Sequence, residues 1–283
     1  METKPFSFWK KQNSRVMISV ICVYNNEDIL KEHLLKSLEN QTVEFELIKI
    51  DNTESTFASA AQALNFGGKK AKGDYILFVH QDVNLSFNTW LEDAEKILGS
   101  ISNLGIAGVA GLSEEGKTVE DRARNLIRQG DNKLWGKEIS KPEPVQTLDE
   151  CLAVVPRYVF DDLKFDEKIC DDWHLYTVDY CLSVRNLELC AYAIPMFIYH
   201  KSTGDSRCNG YQRTLKKLLN KHKDQTKQVY TTFGVWRTSY PLFLQKAKQI
   251  TLRIIYLLMI KIGMRYFWRK SGLKSLWKTT RAN

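Results

Sequence analysis

Proline, closely spaced cysteines and long apolar runs are all scarce in this sequence. Six prolines and 15 glycines among 283 residues are too few for a collagen-like or low-complexity chain. The six cysteines form no C-x-x-C pair and have no regular spacing, which argues against a zinc knuckle and a disulfide framework. We therefore expect reduced, buried thiols in a cytoplasmic protein.

Targeting and membrane signals are also missing. The N-terminal segment has no apolar run ahead of a small-residue cleavage site, so no signal peptide is predicted. The longest apolar run of the C-terminal part, 254–260, is far shorter than the roughly 20 residues needed to span a bilayer. We expect a soluble or peripheral protein.

Neither of two common phosphate-binding motifs is present. No G-x-G-x-x-G follows the first apolar segment, which argues against a dinucleotide fold. No G-x-x-x-x-G-K-[ST] occurs either, which argues against a P-loop nucleotide triphosphatase. A diphosphate bound by this chain would therefore need a metal ion to neutralise its charge.

Charge is divided unevenly along the chain. Residues 1–200 carry 22 Lys and Arg against 31 Asp and Glu, whereas residues 201–283 carry 19 against two. We predict a main domain over 1–204 and a basic, aromatic-rich helical tail over 205–283. Such a tail suits an anionic membrane surface, or it forms a helical cap with a solvated basic face. No RNA- or DNA-reading motif is visible, so we predict no nucleic-acid partner.

What the sequence does contain is an alternation of apolar strands and amphipathic helices. Residues 16–24 form a continuous apolar run, which is typical of a strand buried on both faces of a sheet. This order predicts an α/β fold with a mostly parallel, Rossmann-like central sheet flanked by helices. Residues 113–144 are polar and irregular and are predicted as a loop excursion. Further strands are predicted at 45–50, 74–79, 106–111, 147–156 and 190–199, and helices at 29–38, 56–64, 90–98 and 173–185.

Polar side chains follow four of the predicted strands. In parallel α/β sheets, ligands bind at the carboxyl ends of the strands, so these clusters indicate a binding site. Asn and Asp are also ordinary turn and cap residues, but four clusters in succession favour the site. His80 and Asp82 could both face one ion, and Asp82 offers the oxygen ligand that magnesium or manganese prefers. The clusters are Tyr24-Asn25-Asn26, Asp51-Asn52, His80-Gln81-Asp82 and His200.

Three segments carry a resemblance to a known family. Residues 18–25 (ISVICVYN), 50–55 (IDNTES) and 63–82 (ALNFGGKKAKGDYILFVHQD) resemble, in order and spacing, the start of family 2 glycosyltransferases. That family has the GT-A fold and transfers sugars with inversion. The chain is most similar to a subset that has H-Q-D in place of D-x-D, and a second set of matches covers residues 150–204.

This resemblance implies a nucleotide-sugar half over about 16–112 and an acceptor half over about 145–204. Asp82 matches the last aspartate of D-x-D, which binds Mn²⁺ or Mg²⁺ on the donor diphosphate, and His200 resembles a late histidine that completes the metal site. Tyr24 is implied as a ring that stacks on the nucleotide base. The implied donor-binding residues are Cys22, Tyr24, Asn26, Asp51, Asn52, Asn65, His80 and Gln81.

The acceptor half is implied to supply a general base, which deprotonates the attacking hydroxyl. In strict register, Thr177 occupies the place of the usual acidic residue. Asp172 is therefore the first candidate, with Asp171 and Asp179 behind it. The alternative is that Asp171 and Asp172 cap a helix that begins at Trp173.

The resemblance thus implies an inverting hexosyltransferase of bacterial surface polysaccharide or glycoconjugate synthesis. Its donor would be a nucleoside diphosphate sugar, most commonly a UDP-sugar, and its acceptor a glycan or lipid-linked glycan. The enzyme would work in the cytoplasm or at the inner face of the plasma membrane. The alternative is a catalytically decayed binding protein that the basic tail recruits to a membrane or partner. A nucleotidyltransferase is a third reading, but the Gly-rich, Lys-containing loop expected after Tyr24 is absent.

Overall fold

A computed structural model describes residues 17–202 and 209–261. The strands are β1 (Ile18–Tyr24), β2 (Phe45–Asp51), β3 (Tyr75–Val79), β4 (Val83–Leu85), β5 (Leu104–Gly108), β6 (Gly111–Leu112), β7 (Ala123–Gln129), β8 (Lys133–Lys137), β9 (Glu143–Val145), β10 (Thr147–Leu148), β11 (Leu152–Pro156), β12 (Cys190–Ala193), β13 (Ile198–His200), β14 (Gln228–Thr231) and β15 (Gly234–Arg237). The helices are α1 (Glu27–Leu30), α2 (Lys36–Leu38), α3 (Ala60–Gly68), α4 (Trp90–Gly99), α5 (Val119–Arg122), α6 (Arg157–Asp162), α7 (Tyr176–Ser183), α8 (Asn209–Lys221) and α9 (Leu242–Lys261). A π-helical turn (Lys31–Leu35) joins α1 to α2, and a 3₁₀ turn (Val184–Leu187) follows α7.

The central sheet has seven strands in the order β2-β1-β3-β11-β5-β12-β9. All but β11 and β9 run in the same direction, so the predicted α/β fold with a mostly parallel sheet is confirmed. Side chains of β1 alternate between two cores: Val20 packs on one face of the sheet and Ile21 on the other, and both are fully buried. The continuous apolar run of β1 is thus explained by burial on both faces.

Helix α3 ends later than the sequence predicts. We expected glycines 67 and 68 to close the helix, but the helix runs through Gly68. A Cβ on Gly68 would lie 2.3 Å from the ring of Phe160. Close packing against α6, rather than a left-handed helix end, therefore accounts for glycine at this position.

The prediction of a loop excursion over 113–144 is wrong, because this stretch contains α5, β7, β8 and β9. Its strands are hard to recognise from the sequence because Asn125, within β7, has a left-handed backbone conformation (φ 66°). The buried Asn125 amide donates to the carbonyls of Val109 (2.8 Å) and Met196 (2.6 Å). Polar residues of this stretch thus belong to a second sheet, of order β10-β6-β7-β13-β4 with β8 beside β7.

We predicted a helical tail, but its described part is not wholly helical. Strands β14 and β15 form an antiparallel hairpin there. Helix α8 shares an apolar core with α7, in which Leu215 and Leu218 are fully buried. The predicted boundary at 204/205 stays a prediction, since residues 203–208 and 262–283 lie outside the described residues. No described helix is long and apolar enough to cross a membrane.

The five cysteines within the described residues are all free thiols, and four of them are buried. Reduced, buried cysteines are what the irregular spacing predicts. Cys208 lies outside the described residues.

Candidate functional site

Strand pairing brings together three side chains that could hold a metal ion. His80 and Asp82 lie in the turn between β3 and β4, and β13 runs antiparallel to β4 with His200 opposite Val83. One potential ligand atom from each of the three residues lies within 4.8 Å of the others. The sheet therefore gathers the strand-end cluster 80–82 and His200, which are more than a hundred residues apart in sequence.

His200 is buried, with only 5% of the residue exposed, yet neither of its ring nitrogens has a hydrogen-bond partner within the described part of the chain. Its Nε2 atom lies 3.3 Å from Oδ1 of Asp82, but without hydrogen-bond geometry. Oδ2 of Asp82 accepts a hydrogen bond from the backbone N–H of Ser202 (3.1 Å). A buried, unsatisfied imidazole beside an oriented carboxylate fits a metal ligand pair.

His80 is oriented by a chain of two hydrogen bonds. Its Nε2 lies 3.0 Å from the hydroxyl oxygen of Tyr176, and that hydroxyl donates to the backbone carbonyl of Glu150 (3.1 Å). Because the hydroxyl proton is used on the carbonyl, we assign the donor role to His80 Nε2–H, which leaves Nδ1 with the lone pair. The tautomer of His80 is therefore suited to bind a metal through Nδ1.

The electrostatics of the three side chains differ. Burial, assisted by nearby His200, lowers the pKa of His80 to about 4, so its imidazole is neutral at neutral pH. Burial works to raise the pKa of Asp82, but His200 outweighs it and the pKa falls to about 2. Burial likewise works to lower the pKa of His200, whereas the Asp82 carboxylate raises it above its ordinary value. A neutral His80 and an ionised Asp82 are the states that bind a divalent cation.

His80 and His200 open onto a cleft of about 780 Å³. Its wall also includes Tyr211 of α8 and Phe233 of the β14–β15 hairpin, so the tail forms part of it. His174 lines the cleft as well, with its ring centroid 6.0 Å from that of Tyr211. The volume is within the range of small-molecule binding sites.

Two of the predicted donor-binding residues lie side by side at the sheet edge. Tyr24 is the register partner of Asp51, and burial, together with the Asp51 carboxylate, raises the pKa of Tyr24 above its ordinary value. Oδ1 of Asp51 accepts hydrogen bonds from the backbone N–H and the hydroxyl of Thr53, both at 2.8 Å, and these bonds hold the pKa of Asp51 below its ordinary value. Tyr24 is half-buried and Asp51 exposed, so both can meet a ligand.

Cys22 and Gln81 do not have the surroundings that the resemblance implied. Cys22 is fully buried in the core, where burial raises the pKa of its thiol, and cannot touch a nucleotide base in this structure. The Gln81 carbonyl accepts from the backbone N–H groups of Asn25 and Asn26, both at 3.0 Å, and its amide donates to Oδ1 of Asn25 (2.7 Å). Gln81 therefore fastens the loop after β1 to the turn that carries His80 and Asp82.

The three predicted asparagines are engaged in local structure. Oδ1 of Asn26 accepts from the N–H of Ile29 (3.0 Å) and caps α1. Oδ1 of the buried Asn52 accepts from the N–H of Phe57 (2.8 Å). The buried Asn65 amide makes two bonds to the backbone of Phe165, a donation at 2.9 Å and an acceptance at 3.0 Å. These contacts account for the three asparagine side chains without a role in binding the donor nucleotide sugar.

The carboxylates predicted as general base face α8 instead of the cleft. Asp171 lies 2.7 Å from Nζ of Lys217, and Arg213 contacts both Asp171 (3.2 Å) and Asp172 (3.1 Å). Neither aspartate is among the described residues that line the cleft. The alternative of a helix cap is wrong, because α7 begins at Tyr176 and not at Trp173, whereas the general-base assignments stay predictions.

Asp179 is paired still more tightly. It is 2% exposed, with Oδ2 at 2.7 Å from Nζ of Lys221 and Oδ1 at 2.8 Å from Nε2 of His222. It does not line the cleft in the described part of the chain. The geometry gives Asp179 the role of an anchor for the end of α8.

Sequence reasoning missed two acidic residues that do line the cleft, Asp149 and Glu150. They follow the short strand β10, so the strand-end signal used for the other clusters applies to them as well. We overlooked it because 147–156 was predicted as one strand, whereas the structure interrupts it between β10 and β11.

Known proteins resemble this chain in sequence and in fold. Residues 19–222 match the family described as "Glycosyltransferase like family". A protein of Fuscovulum blasticum described as "ATP synthase subunits region ORF 6" is 26% identical over 219 residues, which are 71% of this chain and 81% of that protein. The family match runs past the predicted boundary at residue 204.

Solved structures that resemble the fold include two with Mn²⁺. The mannosyltransferase PcManGT from Pyrobaculum calidifontis, in complex with GDP-Man and Mn²⁺, has a TM-score of 0.51 and 15% identity over 79% of this chain and 69% of that chain. GalNAc-T7 with UDP, GalNAc and Mn²⁺ has a TM-score of 0.50 and 12% identity over 73% of this chain and 48% of that chain. At these identities the likeness concerns the fold, which is that of GT-A glycosyltransferases. The match over residues 19–222 takes in β1 to α8 with the His80, Asp82 and His200 group, and the chain belongs to the glycosyltransferase-like family.

Proposed function

We propose that this protein is an inverting, metal-assisted hexosyltransferase that moves a sugar from a nucleoside diphosphate to a hydroxyl acceptor. The observation that carries this proposal is the group of His80, Asp82 and His200, of which both histidines line a cleft of about 780 Å³. We further propose a UDP-sugar as donor, and as acceptor a glycan or lipid-linked glycan of a bacterial surface polysaccharide or glycoconjugate.

The three side chains fit a manganese or magnesium ion. Asp82 and His200 would hold the ion together with Nδ1 of His80, and a mixed set of carboxylate and imidazole ligands favours manganese. Such an ion neutralises the charge that develops on a departing diphosphate. The H-Q-D sequence would thus still bind a metal ion, with an imidazole in place of the first carboxylate of D-x-D.

Tyr24 and Asp51 are the residues we propose to hold the nucleoside. Both lie at the carboxyl ends of neighbouring parallel strands, which is where ligands bind in such sheets. The ring of Tyr24 offers a face for stacking, and the ionised Asp51 offers hydrogen-bond acceptors for base or ribose.

A nucleotide-release assay tests the proposed function. UDP-glucose, UDP-N-acetylglucosamine and GDP-mannose are each incubated with the protein and Mn²⁺ without acceptor, and the released nucleoside diphosphate is measured. A working donor site releases nucleotide from at least one of them, because water takes the place of the acceptor. Absence of release from all three would favour the alternative hypothesis, a binding protein with a decayed site. That hypothesis is suggested by Thr177 in place of the usual acidic residue. The buried Thr177 hydroxyl has no hydrogen-bond partner among the described residues.

Tyr176 is expected to strengthen metal binding through His80. Tyr176→Phe removes the acceptor of the His80 Nε2–H, so we expect Mn²⁺ affinity to fall by about 10- to 100-fold, a typical loss for such a supporting residue. Mn²⁺ affinity is measured by calorimetric titration. Tyr180→Phe is the matched control, because Tyr180 lies on the same helix and donates to the carbonyl of Leu163 (2.8 Å). Equal Mn²⁺ affinity in both variants would contradict this account of His80.

We also propose that α9 binds an anionic membrane surface, where a lipid-linked acceptor would be found. Its exposed apolar side chains recur at helical spacing, whereas Gln245 and Leu252 face inward and are buried. Cationic Lys246 and Lys248 lie on the same helix, within a tail of 19 Lys and Arg against two Asp and Glu. An apolar stripe with nearby cations suits anionic headgroups. The stripe consists of Phe243, Leu244, Ile250, Ile254, Leu257 and Leu258.

Vesicle sedimentation tests this membrane surface. We expect binding to vesicles with phosphatidylglycerol to exceed binding to pure phosphatidylcholine, and to weaken as salt rises. Replacing Phe243, Ile250 and Ile254 together by serine should reduce binding at least about tenfold, because it removes apolar surface that would be buried in the headgroup region. Leu187→Ser, which changes an exposed leucine elsewhere, is the control. Unchanged binding by the triple variant would contradict the proposal.

A further inference from the structure

The cleft has acidic residues of its own, separate from the four aspartates that pair with cations of α8. Four carboxylates line it: Glu120 and Asp131, which are exposed, and Asp149 and Glu150, which are partly buried. An acceptor hydroxyl that attacks a donor in this cleft would therefore meet one of these carboxylates. Buried carboxylates are the better proton acceptors, since water competes less for them.

Asp149 and Glu150 differ in how they are held. Oδ1 of Asp149 accepts a hydrogen bond from the backbone N–H of Cys151 (3.0 Å), so this carboxylate is fixed by its own loop. Oε1 of Glu150 is buried and has no hydrogen-bond partner in the described part of the chain. Glu150 is thus the carboxylate with an unsatisfied buried acceptor, which is a costly arrangement unless a ligand completes it.

Glu150 is tied to the metal group through its main chain. Its carbonyl accepts from the Tyr176 hydroxyl (3.1 Å), which in turn lies 3.0 Å from Nε2 of His80. The Tyr176 hydroxyl, at the start of α7, therefore links the main chain of Glu150 to a metal ligand.

We propose that Glu150 is the general base of the transfer reaction, an inference that rests on the proposed function. The Glu150 carboxylate takes the proton of the acceptor hydroxyl. The acceptor oxygen forms a bond to the anomeric carbon as the bond from that carbon to the diphosphate oxygen breaks. The nucleoside diphosphate leaves with the electron pair of that bond.

The environment of Glu150 suits this role. Burial, together with the nearby Asp149 charge, raises the pKa of Glu150 well above its ordinary value, so its carboxylate holds a transferred proton more firmly than an exposed one would. The proposal also explains how the chain can dispense with an acidic residue at Thr177, because Glu150 lies in the turn between β10 and β11 and its carbonyl contacts Tyr176 in the first turn of α7.

Glu150→Gln tests the proposal, because it removes the basic oxygen and keeps the size of the side chain. We measure nucleotide release from the three donor sugars named above, with Mn²⁺ and water as acceptor, and the thermal shift caused by UDP or GDP with Mn²⁺. We expect release to fall by about 10²- to 10⁴-fold, the usual contribution of a general base, while the thermal shift is unchanged. Glu39→Gln, on an exposed residue at the end of α2, is the matched control.

The pH profile separates a catalytic from a merely structural role. In Glu150→Gln the residual release should rise in proportion to hydroxide concentration, whereas a structural defect leaves the shape of the wild-type profile unchanged. Release within twofold of wild type would overturn the proposal, as would a loss in Asp149→Asn that Glu150→Gln does not share. A wild-type protein that shows no thermal shift and releases no nucleotide would overturn the proposed function itself.

Discussion

Asp82→Asn is expected to abolish the metal-dependent part of nucleotide binding and to slow nucleotide release by about 10³-fold. This factor corresponds to a loss of about 4 kcal/mol of transition-state stabilisation. The reason is that asparagine keeps the shape of the side chain but removes the only carboxylate of the group formed with His80 and His200. The measurement is nucleotide release from the donor sugars at saturating Mn²⁺, together with Mn²⁺ titration of the variant.

Asp74→Asn is the matched control for this experiment. Asp74 lies just before β3, and Asp82 lies beyond its other end, so the two aspartates are at opposite ends of the same strand. Oδ2 of Asp74 accepts only a long hydrogen bond, 3.3 Å, from the backbone N–H of Met17 among the contacts described. We expect Asp74→Asn to behave as wild type. Unchanged Mn²⁺ affinity in Asp82→Asn would show that Asp82 does not bind the metal.

Asp179→Asn is expected to lower the free energy of unfolding by about 3 to 5 kcal/mol, the usual cost of removing one partner from a buried ion pair. The 1% exposed His222 would then lose its carboxylate at the end of α8, and Lys221 would keep its contact with Asp166 (3.0 Å). The free energy of unfolding is measured by urea denaturation.

Asp171→Asn provides the comparison, because it too pairs with α8 but its side chain is 35% exposed. Solvent screens that pair, so we expect a loss of about 1 kcal/mol or less. Equal destabilisation by both substitutions would contradict the buried anchor and would place the main attachment of α8 elsewhere.

The central fold follows from the sequence because its signals are local. The run over β1 is apolar on both faces, and its pairing with β2 and β3 follows from the β-α-β order. The metal group is predictable only in part: the residues at strand ends indicate His80, Asp82 and His200, but His200 is brought to the other two by the antiparallel pairing of β13 with β4 in the second sheet, which no local signal records.

The parts that sequence reasoning missed depend on contacts between distant segments. Local sequence does not reveal that Lys217 and Lys221 of α8 neutralise aspartates about forty residues earlier, because such ion pairs arise only from tertiary packing. Strand β7 is hard to predict for a similar reason, since the amide of the left-handed Asn125 is satisfied by the carbonyls of Val109 and Met196, which lie between other strands. The three predicted catalytic aspartates therefore have partners on a helix that is distant in sequence, which no local motif records.

The uneven charge of the chain has a partial structural explanation. Arg213, Lys217 and Lys221 of α8 pair with carboxylates between residues 166 and 179, whereas the helical cap that we predicted had a solvated basic face. Helix α9 makes no comparable set of ion pairs among its described side chains, and its exposed apolar stripe is the feature on which the membrane proposal rests. The carboxylates involved are Asp166, Asp171, Asp172 and Asp179.

The most direct test of the metal-assisted donor site is thermal denaturation of the wild-type protein against UDP, GDP, CDP and ADP, each with and without Mn²⁺. A ligand that binds only the folded state raises the unfolding midpoint by mass action. We predict that one of these nucleotides raises the midpoint and that Mn²⁺ enlarges the shift. No shift with any of the four nucleotides, in the presence or absence of Mn²⁺, would contradict the account.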